Sequence, residues 1–208
     1  MDKESKKETA IAVSLSLIPY IGGSIASIYT SVKTNKEIER LEEFYSDVAN
    51  GIKTLDEKLS NALRNSSHDD EYLAMLIEKL SRKVEIEARK SKINALKTLF
   101  VNSLLNGVNQ TSYSEIDFFL EVLDSLSEID IELLVLSHKE NRLIAVNEIN
   151  YVKYNEPYFI LASVNKLRNF GLLQVFSGAI AVGAKDNALE ERIKVSDLGK
   201  NFISFCLQ

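Results

Sequence analysis

The sequence is poor in the residues that build covalent or metal cross-links. Cys206 is the single cysteine among 208 residues, and His68 and His138 are the only histidines. One cysteine excludes a disulfide within the chain and fits a reducing cytoplasm. Neither histidine has a second histidine or a cysteine at ligand spacing, and His68 beside two aspartates reads as an ordinary turn residue. We therefore expect no metal site and no cofactor.

Proline and glycine, which interrupt regular structure, are also scarce. The chain holds two prolines, eight glycines and no tryptophan, while 45% of its residues are apolar. Long periodic segments with few interruptions indicate a mainly helical protein with enough apolar side chains for a core. The net charge is −5. This balance predicts no broad basic surface for nucleic acid.

Residue sets that carry catalysis are not visible either. The two histidines are isolated in sequence, and the glycine pair Gly22 and Gly23 lacks the following Lys-Ser/Thr of a phosphate loop. Cys206 fits a small hydrophobic residue closing the core, and His138 fits a cation at the end of a helix. We predict that the protein is not an enzyme.

Residues 36–64 are the most regular stretch, and the rest of the chain is organised around them. Apolar residues recur every three or four positions, as in a helix packed lengthwise on other helices. Phe44 and Ala49 widen this stripe, which favours packing within one chain over a parallel dimer. Gly51 is expected to admit a close neighbour. The stripe consists of Ile38, Leu41, Tyr45, Val48, Ile52, Leu55, Leu59 and Ala62.

Residues 10–32, which precede this helix, carry no charged side chain. Their length suits a membrane helix, and Gly22 with Ala26 forms a small-xxx-small pair. Many hydroxyl side chains, Pro19 and the two adjacent glycines favour instead a short hairpin buried in protein. We favour burial and a cytoplasmic location, with membrane association as the alternative. Either role falls on Ile18, Pro19, Ile21, Gly22, Gly23, Ile25 and Ala26.

A third helix is predicted over residues 70–105. Its charged run SRKVEIEARKSK shifts the apolar phase, which is typical of a solvated face and less often of a kink or partner surface. Gly107 ends the helix. Capping boxes begin two more helices, one at Ser112 with Glu115 for residues 115–126 and one at Ser127 with Asp130 for residues 128–138. A short helix is expected within residues 141–154.

The C-terminal third changes character. Pro157 begins a helix that Gly171 ends, and two strands, residues 172–176 and 192–195, flank a long loop that forms a wing. A last helix follows Ser196 over residues 197–205. The predicted fold is mainly α, with a long-helix bundle or coiled coil over residues 1–110 and a winged-helix-like α+β domain over residues 111–208.

Two C-terminal segments resemble the end of the bacterial abortive-infection alpha family. They are residues 164–173 (VNKLRNFGLL) and residues 195–206 (VSDLGKNFISFC). Three further parts of the chain are also similar to that family. They are residues 83–105 running into 112–136, the Pro-x-x-Gly at residues 19–22, and the helix with the three-and-four spacing over residues 38–59. Ser196 stands where Thr is usual. The resemblance implies a role in defence against phage and supplies no catalytic residue.

The winged-helix pattern raises the alternative of a DNA-binding regulator. From Glu128 onward, however, nine basic residues meet ten acidic ones, which is a poor balance for binding phosphates. We therefore favour a protein partner or a homo-oligomer over DNA. The helix that begins at Pro157 stands in the place of the recognition helix of a winged helix. The partner or nucleic-acid contacts are expected on it, at Tyr158, Asn165, Lys166, Arg168 and Asn169.

Overall fold

The computed structural model describes residues 35–55, 57–149, 156–176 and 188–208. Over these residues the protein is mainly helical and carries one small antiparallel sheet, as the sequence predicts. The chain divides into two compact units, residues 1–124 and residues 125–208. The fold class of a helical bundle followed by a winged-helix-like region is confirmed.

The elements fall into two groups. The first consists of α1 (Asn35–Lys53), α2 (Glu57–Asn65), α3 (Asp70–Ile86), α4 (Lys90–Asn106) and α5 (Gln110–Ser125). The second consists of α6 (Glu128–Glu140), β1 (Ile144–Ala145), α7 (Pro157–Asn169), β2 (Leu173–Phe176), β3 (Arg192–Val195) and α8 (Asp197–Cys206), with short 3₁₀ turns at Val146–Glu148 and Ala188–Glu190.

The predicted long helix over residues 36–64 is interrupted. From Ile38 to Ile52 its apolar stripe is buried, and α3 and α4 of the same chain cover it. Beyond Lys53 the helix ends in two i→i+3 bonds, Thr54 N–H to Gly51 O and Leu55 N–H to Ile52 O. Leu59 is therefore 38% exposed, against the prediction. A Cβ at Gly51 would meet no atom within 4 Å, so this glycine admits no close neighbour.

The predicted third helix is also two helices, α3 and α4. Their break lies inside the charged run, where the Glu87 carboxylate accepts the N–H groups of Ala88 and Arg89 at 2.9 and 2.8 Å. These two amides lie immediately before α4, which begins at Lys90, so the carboxylate holds the connection between the two helices, and the helix dipole favours its negative charge near the start of α4. Lys92, within the run, is only 1% exposed. The run therefore contains the kink that was the less common alternative, and it is at least partly exposed apart from the buried cation of Lys92 and two other buried residues.

The fifth helix begins earlier than the Ser112 capping box predicts. Asn109 caps α5, since its side-chain oxygen accepts Ser112 N–H at 3.1 Å while the Ser112 hydroxyl accepts Asn109 N–H at 3.0 Å. Ser112 thus takes the third helical position and not the cap. The second capping box, at Ser127 and Asp130, is confirmed at the start of α6.

Salt bridges join α5 to α3. Lys79 lies 2.6 Å from Asp117, and Lys83 lies 2.9 Å from Asp124 and 3.3 Å from Glu121. The observed division after Asp124 places nearly all of α5 in the first unit, whereas the expected division after residue 110 places nearly all of it in the second.

The sheet of the second unit has the order β1-β3-β2, with both pairs antiparallel. Ile193 of β3 lies opposite Ile144 and Val175, which places apolar side chains together at the centre. The segment predicted to contain a short helix contributes β1 and a 3₁₀ helix of three residues, Val146–Glu148, so over residues 141–149 the helical part is limited to that turn. Residues 150–155, and residues 177–187 of the predicted wing, lie outside the described part.

The turn before α8 is built as the sequence pattern requires. The Ser196 hydroxyl donates to Gly171 O at 2.6 Å and accepts Gly199 N–H at 2.8 Å. A Cβ at Gly199 would lie 2.2 Å from Leu172 O, so only glycine fits there. Cys206 at the end of α8 is buried. The hydrogen bonds of Ser196 and the close approach of Gly199 to Leu172 thus hold the start of α8 against the turn that follows α7.

Candidate functional site

The surface predicted to contact partners lies on α7. Tyr158 is 53% exposed, and Asn165, Arg168 and Asn169 are also exposed. Ile160, Val164 and Leu167 on the opposite side are buried, as their spacing predicts. Four of the five predicted residues therefore form an accessible set on one helix. We call this set, with exposed Ala162, the α7 face.

The start of α7 is occupied by a carboxylate. Glu156 accepts the N–H groups of Tyr158 and Phe159 at 3.3 and 3.1 Å. Free amides at the start of a recognition helix would bind a phosphate, because the helix dipole favours negative charge there. Glu156 already supplies that negative charge. An approaching DNA backbone would meet a like charge at this position.

Lys166, the fifth predicted residue, is engaged in contacts within the protein. Its ammonium group donates to Asp130 Oδ2 at 2.8 Å and to the carbonyl oxygen of Ser125 at 2.6 Å. The cation is therefore paired within the unit and half-buried. Arg168 remains the exposed cation of α7, and it forms no ion pair with any described residue.

Asp130 is the centre of a polar cluster between α6 and α7. The residue is 2% exposed, and its carboxylate accepts bonds from the Ser127 N–H and hydroxyl, both at 2.7 Å, and from the Ser163 hydroxyl. Burial by itself would raise the pKa of Asp130, but the hydrogen bonds from Lys166, Ser163 and Ser127 outweigh it and lower the pKa. The cluster fixes α7 against α6 with an ionised carboxylate.

Further aromatic side chains are exposed near the α7 face in sequence but were not singled out by the pattern. Phe159 is 47% exposed beside Tyr158, and Phe176 is 46% exposed at the end of β2, opposite Arg192. The strand alternation around Phe176 could have shown its outward position. Aromatic residues and Arg are the side-chain types enriched in protein–protein interfaces, and both types are exposed here.

Groups of catalytic type are engaged in structural roles where the structure describes them. The His68 ring accepts a backbone N–H, and His138 lies in the last turn of α6. Burial raises the pKa of the Cys206 thiol, which disfavours its reactive thiolate. Within the described ranges, no group of three or more His, Cys, Asp or Glu side chains is placed to hold a metal ion.

A groove of about 290 Å³ lies between α1 and the start of α4. Its charged groups are largely used within the protein: Lys97 pairs with Asp47 at 3.2 Å, and Arg40 donates to the carbonyl oxygens of Lys36 and Glu87. Three basic and three acidic side chains line it, so its charge selects neither an anion nor a cation.

The N-terminal residues assigned to a hairpin or a membrane segment, from Ile18 to Ala26, lie outside the described residues. None of the helices in the described part combines the length and apolar character that crossing a membrane requires.

Comparison with protein-family models, with curated proteins and with solved structures found no match. The structure itself shows a helical bundle followed by a winged-helix-like region.

Proposed function

We propose that this chain is a non-enzymatic protein-interaction component whose winged-helix-like region binds a protein partner, or a second copy, through the α7 face. The observation that carries the proposal is the use of Lys166 and Glu156 within the unit. The two positions that would favour phosphate are taken, one by the Asp130 carboxylate and the other by an anionic cap. The face that remains is aromatic and amide-rich, with Arg168 as its cation.

Charge supports the same proposal. The second unit holds nine basic and ten acidic residues, a net charge of −1. Nonspecific DNA affinity comes mainly from neutralising phosphates, and a unit without excess positive charge supplies little of it. Binding to random duplex at physiological salt should be weaker than the usual nonspecific range of about 10⁻⁴–10⁻⁶ M. A winged-helix regulator is the alternative function.

The biological setting follows from the resemblance to the abortive-infection alpha family. The two C-terminal segments that carry it form the end of α7 with β2, and the end of β3 with α8. Ser196 performs the capping role expected of the usual threonine, since its hydroxyl accepts Gly199 N–H. We therefore place the proposed interaction in bacterial phage defence, in the cytoplasm.

The test expresses the full chain in a bacterial host and scores phage plating. Tyr158→Ala, Asn165→Ala and Arg168→Ala should each reduce protection while the protein stays folded, because these exposed side chains support no core. Lys139→Ala, at an exposed position of α6, is the matched control and should protect like the wild type. Full protection by all three α7 variants would reject the interaction surface.

Two further measurements separate the alternatives. Tight, salt-sensitive DNA binding that Arg168→Glu abolishes would favour the regulator. Recovery of the wild-type chain from the bilayer fraction after a carbonate wash would favour membrane association through residues 10–32.

A further inference from the structure

His68 lies where two helix connections of the first unit meet. The connection between α2 and α3 is joined to the connection between α4 and α5 by two hydrogen bonds. Val108 N–H donates to His68 Nδ1 at 3.1 Å, and Asp69 N–H donates to Val108 O at 2.8 Å. Gly107 is in a left-handed conformation with φ of 82°, and a Cβ there would lie 2.8 Å from Ser67 O. The two connections are in direct contact.

The hydrogen bonds determine which ring nitrogen carries the proton. A backbone N–H can only donate, so His68 Nδ1 must be an unprotonated acceptor toward Val108. The Ser66 hydroxyl lies 2.7 Å from the Leu63 carbonyl oxygen, which can only accept, so the hydroxyl proton points there. Its oxygen is then free to accept from His68 Nε2 at 3.1 Å. The network assigns a neutral imidazole with its proton on Nε2.

We propose that His68 is a pH-sensitive latch between these two connections, closed when the ring is neutral and opened when Nδ1 takes a proton from solvent. A protonated Nδ1 and Val108 N–H are both donors, so protonation breaks the hydrogen bond between His68 and Val108 and leaves the connections joined by the Asp69 N–H to Val108 O bond. The proposal is independent of the α7 face, because the latch lies wholly in the first unit.

The charged side chains on the elements next to the His68 ring are exposed or are hydrogen-bonded to other groups. Arg64 at the end of α2 and Asp70 and Glu71 at the start of α3 are exposed. The Asp69 carboxylate is used to accept the N–H groups of Glu71 and Tyr72. Residues 106–112, which supply the other connection, contain no titratable side chain, and the next ones along α5 are Tyr113 and Glu115. No described side chain other than Ser66 is hydrogen-bonded to the imidazole.

The direction of the pH effect follows from burial. Burial lowers the pKa of His68 below its usual 6.5, in keeping with a ring that must stay neutral. An unfolded chain then takes up the proton before the folded one does. The contribution of the neutral His68 ring to stability is fully present above about pH 6.5. As pH falls below this value the contribution is lost, and the unfolding equilibrium constant rises by at most about tenfold per pH unit.

The experiment follows urea unfolding of the full-length chain between about pH 5 and 8, with exchange of the Val108 amide measured by NMR. In the wild type, unfolding should become easier below about pH 6.5, and Val108 should lose protection together with it. His68→Asn is the informative variant, because its side-chain oxygen can accept near the Nδ1 position and does not titrate. It should remove this pH dependence.

His138→Asn is the matched control and should keep the pH dependence of the wild type, since the other ring makes no contact in the latch. An equal slope in His68→Asn and wild type would overturn the proposal. The tautomer provides an independent criterion that needs no variant. Ring nitrogen shifts showing a proton on Nδ1 of His68 at pH 8 would also overturn it.

Discussion

Removing the Asp130 carboxylate should destabilise the second unit by about 3 kcal/mol. Asp130→Ala leaves Ser127, Ser163 and Lys166 without the acceptor that they share. Breaking a buried ion pair from one side costs about 3–5 kcal/mol. We expect the lower end of this range, because the Lys166 side chain is 37% exposed and its ammonium can turn toward water. The measurement is urea unfolding at pH 7, followed by far-ultraviolet circular dichroism.

The control is Glu132→Ala, an exposed position on the same helix, which should lie within about 0.5 kcal/mol of wild type. Since the pKa of Asp130 is lowered in the folded protein, its contribution is present above its unfolded value of 3.8 and is lost as pH falls through the folded value. The difference between wild type and Asp130→Ala should therefore narrow below about pH 4. A cost no larger than that of Glu132→Ala would refute the reasoning.

Two further predictions concern the first unit. Lys92→Ala should cost about 2–5 kcal/mol in urea unfolding, because it removes a side chain that is only 1% exposed. Lys92→Met should cost distinctly less, because methionine refills the buried volume, although it loses the bond to Asp124 O and the charge that lies 3.8 Å from the Glu87 carboxylate. Equal costs would contradict this account. In the same assay Ile52→Ala should cost about 2–5 kcal/mol. Leu55→Ala should cost less, because Leu55 is partly exposed. Lys53→Ala, at an exposed position, should stay within about 0.5 kcal/mol of wild type. An effect of Lys53→Ala as large as that of Ile52→Ala would show that the buried stripe is misassigned.

Features that depend on near neighbours along the chain could be predicted from the sequence. The three-and-four spacing from Ile38 to Ile52 marked the buried side of α1, because that period places side chains on one side of a helix. Ser127 and Asp130 marked the start of α6, since a capping box is complete within four residues. The alternation at Ile193 and Val195 marked β3 in the same way.

The sequence did not show where the long periodic segments break or which partners the polar side chains have, because both depend on packing between distant parts of the chain. The charged run contains several similar cations, and the sequence does not show that Lys92 is the buried one, whose ammonium donates to the carbonyl oxygen of Asp124, 32 residues away in the chain. The sequence predicted Lys166 as a partner contact, but its ammonium group is hydrogen-bonded to Asp130, 36 residues earlier in the chain. His68 looked like a plain turn residue, yet it accepts an N–H from Val108, 40 residues later. Hydrogen-bond partners so distant leave no periodicity in the sequence, because packing alone brings them together.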